Sequence, residues 1–185
     1  MRAMPQMTVL APADQYECAA MIKWASDYHG PIYLRLTRDA GADVFSADYQ
    51  FEIGELRWLR HGKHALLVST GPQSGRCLEA ANELEKQRIE VGVLHVPSIK
   101  PLNEAALLEA CSAYDLIFTV EEHSVLGGLG GLVAELLSAN SPRRVIRYGI
   151  EDKWGESAPN DFLLDKYGLS ALQVSQRIAA DFKKK

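Results

Sequence analysis

Arg38 follows Thr37 at the end of an apolar run, Ile32 to Leu36. Ligands of open α/β sheets collect just past the carboxyl ends of strands. A planar, permanently charged guanidinium there suits bidentate contact with a phosphate. On residue type alone, an ion pair with Asp39 or another surface carboxylate is the stronger reading. Arg35 falls on the opposite face of an extended chain from Arg38 and is left out of the candidate site. Asp14 and Glu17 have residue types that could perform paired acid–base work. Their spacing ahead of a helical run is better explained as a capping pair, with Asp14 accepting from helix N–H groups and Glu17 reaching back. Glu121, Glu122 and His123 precede Gly127-Gly128-Leu129-Gly130-Gly131, which admits a metal or proton-transfer cluster, or an anion at a helix N-terminus. No Lys-Ser or Lys-Thr follows, which excludes a P-loop. A tight turn passing close to its neighbours is the stronger reading, with a subunit-contact or effector site behind it. His61 and His64 are too few for a structural zinc site and read as surface residues. His95 reads as a satisfied core or interface histidine, and Trp24, Trp58 and Trp154 as packing anchors. Cys18, Cys77 and Cys111 are odd in number, lack a Cys-x-x-Cys pair, and read as buried thiols.

The elements that must position these residues follow from periodicity. Ala65 to Val68, Val91 to Val96, Leu116 to Val120 and Val145 to Ile150 are short, nearly continuous apolar runs, the pattern of parallel strands buried on both faces. Helical patterns lie between them. One runs from a Ser74 cap to about Arg88, a second starts at an Asn103 cap, and a third runs from near Gly130 through Leu137. A fourth starts from a Ser170–Gln173 capping pair and carries Ala171, Val174, Ile178 and Phe182. Strands alternating with helices predict an open α/β sheet. The front carries one strand-helix-strand unit, Thr8 to Leu36, too small to close its own core. Residues Thr37 to Phe51 read as a linker. Gly62 in Arg60-His61-Gly62-Lys63 suits a hairpin turn.

Hydrophobic residues are 47% and charged residues 24% of the 185-residue chain, which places it with globular rather than disordered proteins. A formal net charge of −4 and the lack of a basic stripe argue against nucleic-acid binding. The terminal Lys183-Lys184-Lys185 run reads as solvated tail. No apolar run approaches the ~20 residues of a membrane span. The thiols suit a reducing cytosol, and a cytoplasmic location is expected.

Several segments together carry a family resemblance. Pro12-Ala13-Asp14-Gln15-Tyr16-Glu17 resembles a stretch late in the pyrimidine-binding domain of transketolases. Gly30 to Arg38 (GPIYLRLTR) resembles the strand that ends that domain. Val120-Glu121-Glu122-His123, the glycine-rich turn, Trp154 to Ala158 and Tyr167 to Ser170 resemble the C-terminal domain. The whole chain is similar to the C-terminal subunit of split, transketolase-like enzymes. That resemblance implies a remnant of the pyrimidine-binding domain over residues 1–45 and a C-terminal domain over 46–185. The implied fold is three-layer α/β/α around a five-stranded, mixed, mainly parallel sheet, with Phe51 to Leu59 as the antiparallel strand.

The resemblance also implies an activity. The intact enzyme would transfer a two-carbon ketol unit between sugar phosphates, with thiamine diphosphate and magnesium as cofactors and Arg38 on the substrate phosphate. It implies an N-terminal partner domain or subunit and a homo-oligomer. The sequence has no Gly-Asp-Gly for magnesium and the diphosphate, and the family's cofactor-activating glutamate has no counterpart. The chain alone is therefore expected to hold no cofactor, metal or catalytic residue and to be inactive. Within thiamine enzymes, 1-deoxyxylulose-5-phosphate synthase and the beta subunit of a 2-oxo acid dehydrogenase are alternatives. Thr37 before Arg38 speaks against the first, and the second has no use for a phosphate-binding arginine. An assembly module or a small-anion-binding module is the alternative of another class.

Overall fold

A computed structural model describes residues 1–38 and 41–183. Asp39 and the last two lysines of the terminal run lie outside them. The front contributes β1 (Thr8–Leu10), α1 (Gln15–Ser26) and β2 (Ile32–Leu34). Then come β3 (Arg57–Arg60), β4 (Ala65–Ser69), α2 (Gln73–Glu85), β5 (Val91–His95) and β6 (Ser98–Lys100). The rest is α3 (Glu104–Ser112), β7 (Leu116–Ser124), α4 (Leu129–Asn140), β8 (Arg144–Ile150), α5 (Asn160–Lys166) and α6 (Ala171–Phe182).

The larger sheet has five strands in the order β3-β5-β4-β7-β8. Pairings within β5-β4-β7-β8 are parallel, and β3 runs antiparallel to β5. Successive side chains of a strand face opposite ways, and both faces of this sheet are covered. Leu67, Val93 and Phe118 pack with Cys77 and Leu84 of α2, Leu164 of α5, and Val174 and Ile178 of α6. Leu66, Val68, Leu94 and Ile117 pack with Leu107 and Cys111 of α3 and Val133 and Leu137 of α4. These are the three α/β/α layers, and burial on both sides is why the central strands read as unbroken apolar runs.

The front unit is closed by a strand from further along the chain. β1 pairs parallel with β2 and antiparallel with β6, giving a second sheet of order β2-β1-β6. Val9 of β1 and Ile99 of β6 join the core under α3 and α4. Neither β6 nor α5 is apparent from periodicity. β6 has three residues between Pro97 and Pro101, and α5 has seven with no side-chain cap.

Two local readings are corrected. Gly62 does not turn a hairpin, because β3 and β4 are not neighbours; β5 lies between them. Glycine is needed there for a different reason: a Cβ would sit 2.1 Å from the backbone carbon of Val91. Ser74 is not a cap. It lies inside α2, whose first residue follows Pro72, and α2 ends at Glu85 rather than near Arg88. Arg88 has a φ of 62°, outside the helical region. The Asn103 and Ser170 caps are present, accepting from the Ala106 and Gln173 N–H groups.

Candidate functional site

β2 delivers Arg38 to the mouth of a cleft of about 330 Å³, whose walls include Pro12, Asp14, Cys18, Thr37, Asp43 and Pro72. The cleft lies between the start of α1, the exit of β2 and the loop into α2. Arg38 is exposed and makes no ion pair among the described residues. Asp39, its alternative partner on sequence grounds, lies outside them. Arg35 points elsewhere and donates to the Glu122 carbonyl, in keeping with its place on the other face of the chain.

Beneath the cleft is a buried polar network. Asp14 caps α1 as its spacing predicts: Oδ1 accepts from the Glu17 N–H at 2.9 Å. Oδ2 accepts from the Val44 and Phe45 N–H groups at 2.7 and 2.6 Å. Glu17 departs from the capping-box pattern, for it reaches past Asp14 and accepts from the Ala13 N–H at 2.7 Å. The same oxygen lies 2.8 Å from His95 Nε2, and its other oxygen accepts from the Tyr49 hydroxyl at 2.6 Å. With the Nε2 proton donated to Glu17, His95 Nδ1 accepts from the Ser74 hydroxyl at 2.6 Å, and Ser74 lies 2.8 Å from Ser69 Oγ. Glu17, Ser69, Ser74 and His95 are all fully buried. A Glu–His–Ser sequence of this kind could activate a hydroxyl if substrate reached it. Buried to this degree, it instead ties the front unit to the strands β4 and β5. Burial, and then Glu17 beside it, push the Tyr49 phenol above its ordinary range.

The acidic cluster and glycine-rich turn form a self-contained cap. Glu121 is buried and accepts from the Leu129 and Gly130 N–H groups at 2.8 Å each. The helix N-terminus that could have taken an anion is thus filled by the chain's own carboxyl group. A Cβ on Gly128 would lie 2.0 Å from Glu121 Oε2, and Gly127 has a φ of 75°, so this turn demands glycine at both places. Burial raises the Glu121 pKa, opposed by the two backbone N–H groups. Glu122 pairs with Arg76 at 2.7 Å, and His123 is exposed, 3.9 Å from Glu121. Glu121 thus locks the turn that opens α4.

The remaining candidates divide similarly. His61 stacks on Trp58 and His64 accepts from the Glu90 N–H, so the two histidines serve separate partners. Trp24 stacks on Tyr28 and meets Phe51 edge-on. Trp154 is 96% exposed and anchors nothing, because it lies in a loop between β8 and α5. Cys77 and Cys111 are buried, but Cys18 is only partly so.

Comparison with known proteins places this geometry. A family model described as the transketolase C-terminal domain matches residues 54–174. The chain belongs to the transketolase C-terminal domain family. A transketolase family protein of Sinorhizobium fredii is 39% identical over 96% of this chain and 52% of its own length. A transketolase C-terminal section of Methanocaldococcus jannaschii is 34% identical over 100% of this chain and 58% of its own length. The chain thus spans little more than half the length of these relatives. Among solved structures, a split-gene transketolase described as an inactive beta4 tetramer superposes with a TM-score of 0.92 at 40% identity, covering 99% of this chain and 60% of that one. A transketolase variant from Pichia stipitis shares the fold, with a TM-score of 0.71 at 20% identity, over 98% of this chain and 26% of its own.

The transketolase family implies thiamine diphosphate in the intact enzyme. Among the described residues no set of three or more His, Cys, Asp or Glu could hold a metal ion. The sequence contains no Gly-Asp-Gly. Glu17, the fully buried carboxyl group of the front unit, is already engaged by Ala13, Tyr49 and His95. Among the described residues no helix is long and apolar enough to cross a membrane.

Proposed function

We propose that this chain is the C-terminal part of a transketolase-like enzyme that transfers a two-carbon ketol unit between sugar phosphates, and that Arg38 grips the substrate phosphate. The observation that carries this reading is Arg38 itself. It is exposed at the carboxyl end of β2, beside a cleft, and unpaired among the described residues. An unpaired guanidinium on a strand exit is positioned for an anionic ligand.

In this reading residues 1–45 belong to a pyrimidine-binding domain and residues 46–185 form the C-terminal domain. An N-terminal partner supplies the remaining domain structure and the residues that hold thiamine diphosphate and magnesium. The bound cofactor supplies carbanion stabilisation; this chain supplies substrate binding and assembly, and alone it is inactive. Subunit names among its relatives support the division: one is the 6-deoxy-6-sulfo-D-fructose transketolase subunit of a Clostridium species, 36% identical over 94% of this chain. The complex is a homo-oligomer of such pairs, working in the cytoplasm.

The test is kinetic, on the chain reconstituted with its N-terminal partner, thiamine diphosphate and magnesium. Arg38→Ala is expected to raise KM for ribose 5-phosphate by about tenfold or more, the scale of one charge-assisted contact. KM for glycolaldehyde, which has no phosphate, should move far less. Equal effects on both acceptors would reject Arg38 as the phosphate grip.

A further inference from the structure

Asp14 does more than a helix cap requires. Capping uses one oxygen, and Oδ1 provides it to the Glu17 N–H. Serine or asparagine would serve that purpose equally well. Oδ2 is committed elsewhere, to the consecutive N–H groups of Val44 and Phe45. These two residues lie beyond Arg38 on the stretch that leaves β2. On the near side, the Arg35 N–H donates to the Leu10 carbonyl at 2.8 Å, which holds that end to β1. Arg38 therefore lies between two anchors, one on the sheet and one on the Asp14 carboxylate. Val44 is also seated against α2, with Cγ2 3.4 Å from where a Cβ on Gly75 would be. Asp14 is buried, at 7% exposure, so water competes little for its oxygens. It lines the same cleft as Arg38.

We propose that Asp14 is a positioning residue for the phosphate grip: its second oxygen holds Val44 and Phe45, which follow Arg38 on the same stretch, and so limits where the guanidinium can meet the cleft. The inference rests on the phosphate-binding reading of Arg38. A displacement of about 1 Å at a positioning group can cost up to 10²-fold, so a released loop is expected to show in substrate binding.

Asp14→Ser separates the two tasks. The serine hydroxyl keeps the cap on Glu17 and is too short to hold Val44 and Phe45 as well; Asp14→Ala loses both. Each variant, and Arg38→Ala, is assayed in the complex with the N-terminal partner, thiamine diphosphate and magnesium. The readouts are the ratio of KM for ribose 5-phosphate to KM for glycolaldehyde, and the melting temperature. The expected result is a ratio raised about fivefold or more by Asp14→Ser, in the direction of Arg38→Ala, with the melting temperature lowered less than by Asp14→Ala. Asp14→Ala should raise the ratio likewise and also melt earlier; should it fail to fold, the serine variant carries the test. If Arg38→Ala raises the ratio and Asp14→Ser does not, Asp14 is a cap and nothing more. If Arg38→Ala itself leaves the ratio alone, the phosphate reading fails and this inference with it.

Discussion

Replacing Glu17 with alanine should be among the most damaging single changes in the chain. The fully buried carboxyl group takes the Ala13 N–H, the Tyr49 hydroxyl and His95 Nε2 at 2.7, 2.6 and 2.8 Å. Alanine leaves all three groups facing a cavity. An unsatisfied buried polar group costs ~1–3 kcal/mol, but three that shared one carboxyl group relax together and do not sum. A net loss of ~4 kcal/mol is expected, more than one orphaned group would cost and less than the sum of three. For a chain of 185 residues each kcal/mol lowers the melting temperature by ~2–4 °C. Glu17→Ala should therefore melt roughly 8–16 °C below wild type by circular dichroism. Glu17→Gln keeps the volume and one acceptor oxygen, and should lose about half as much. Adding Tyr49→Phe to Glu17→Ala should cost less than Tyr49→Phe does in the wild type, because it removes an orphaned hydroxyl. A Glu17→Ala variant melting within about 3 °C of wild type would refute the network as the tie between front unit and sheet.

Other outcomes follow from the same geometry. Gly128→Ala places a Cβ 2.0 Å from Glu121 Oε2 and should destabilise by about 1–3 kcal/mol, measured by urea unfolding. Gly62→Ala meets the Val91 backbone at 2.1 Å, which no side-chain rotation relieves; it should cost about 3 kcal/mol or more in the same assay. In thiol titration with an aromatic disulfide at pH 8, the native chain should release at most one equivalent, from Cys18, and three after denaturation. Burial pushes Cys77 up to about 12 and Cys111 up to about 11, and only the thiolate reacts. Fast reaction of three thiols in the native chain would contradict the packing of α2 and α3.

How much of this could be read from the sequence depends on the range of the interactions. β4, β5, β7 and β8 were legible because both faces of the sheet are covered, which leaves apolar runs such as Leu116 to Val120 without alternation. Asp14, Asn103 and Ser170 were legible because a cap acts three residues away. Pairings across the chain were not. The turn at Gly62 looks like a hairpin until a strand some thirty residues later inserts between its arms. Ser74 resembles a cap in type, but its hydroxyl bonds His95, and Glu17 meets the same histidine across 78 residues. The stretch read as a linker leaves no periodic mark, yet Val44, Phe45 and Tyr49 are held by Asp14 and Glu17. Arg38 was singled out from its motif and strand position, while the contacts of Asp14 with Val44 and Phe45 needed the fold.

The most direct test of the division of labour is a reconstitution. The chain is assayed for ketol transfer between sugar phosphates alone, and then with its N-terminal partner, in both cases with thiamine diphosphate and magnesium in excess. Activity that needs both chains, with no change in melting temperature when cofactor and metal meet this chain alone, is the expected result. A cofactor at a hundred times its dissociation constant would stabilise the chain by ~2.7 kcal/mol, a readily measured shift of roughly 5–10 °C. Such a shift, or turnover by this chain without a partner, would contradict the assignment of the cofactor site to another subunit.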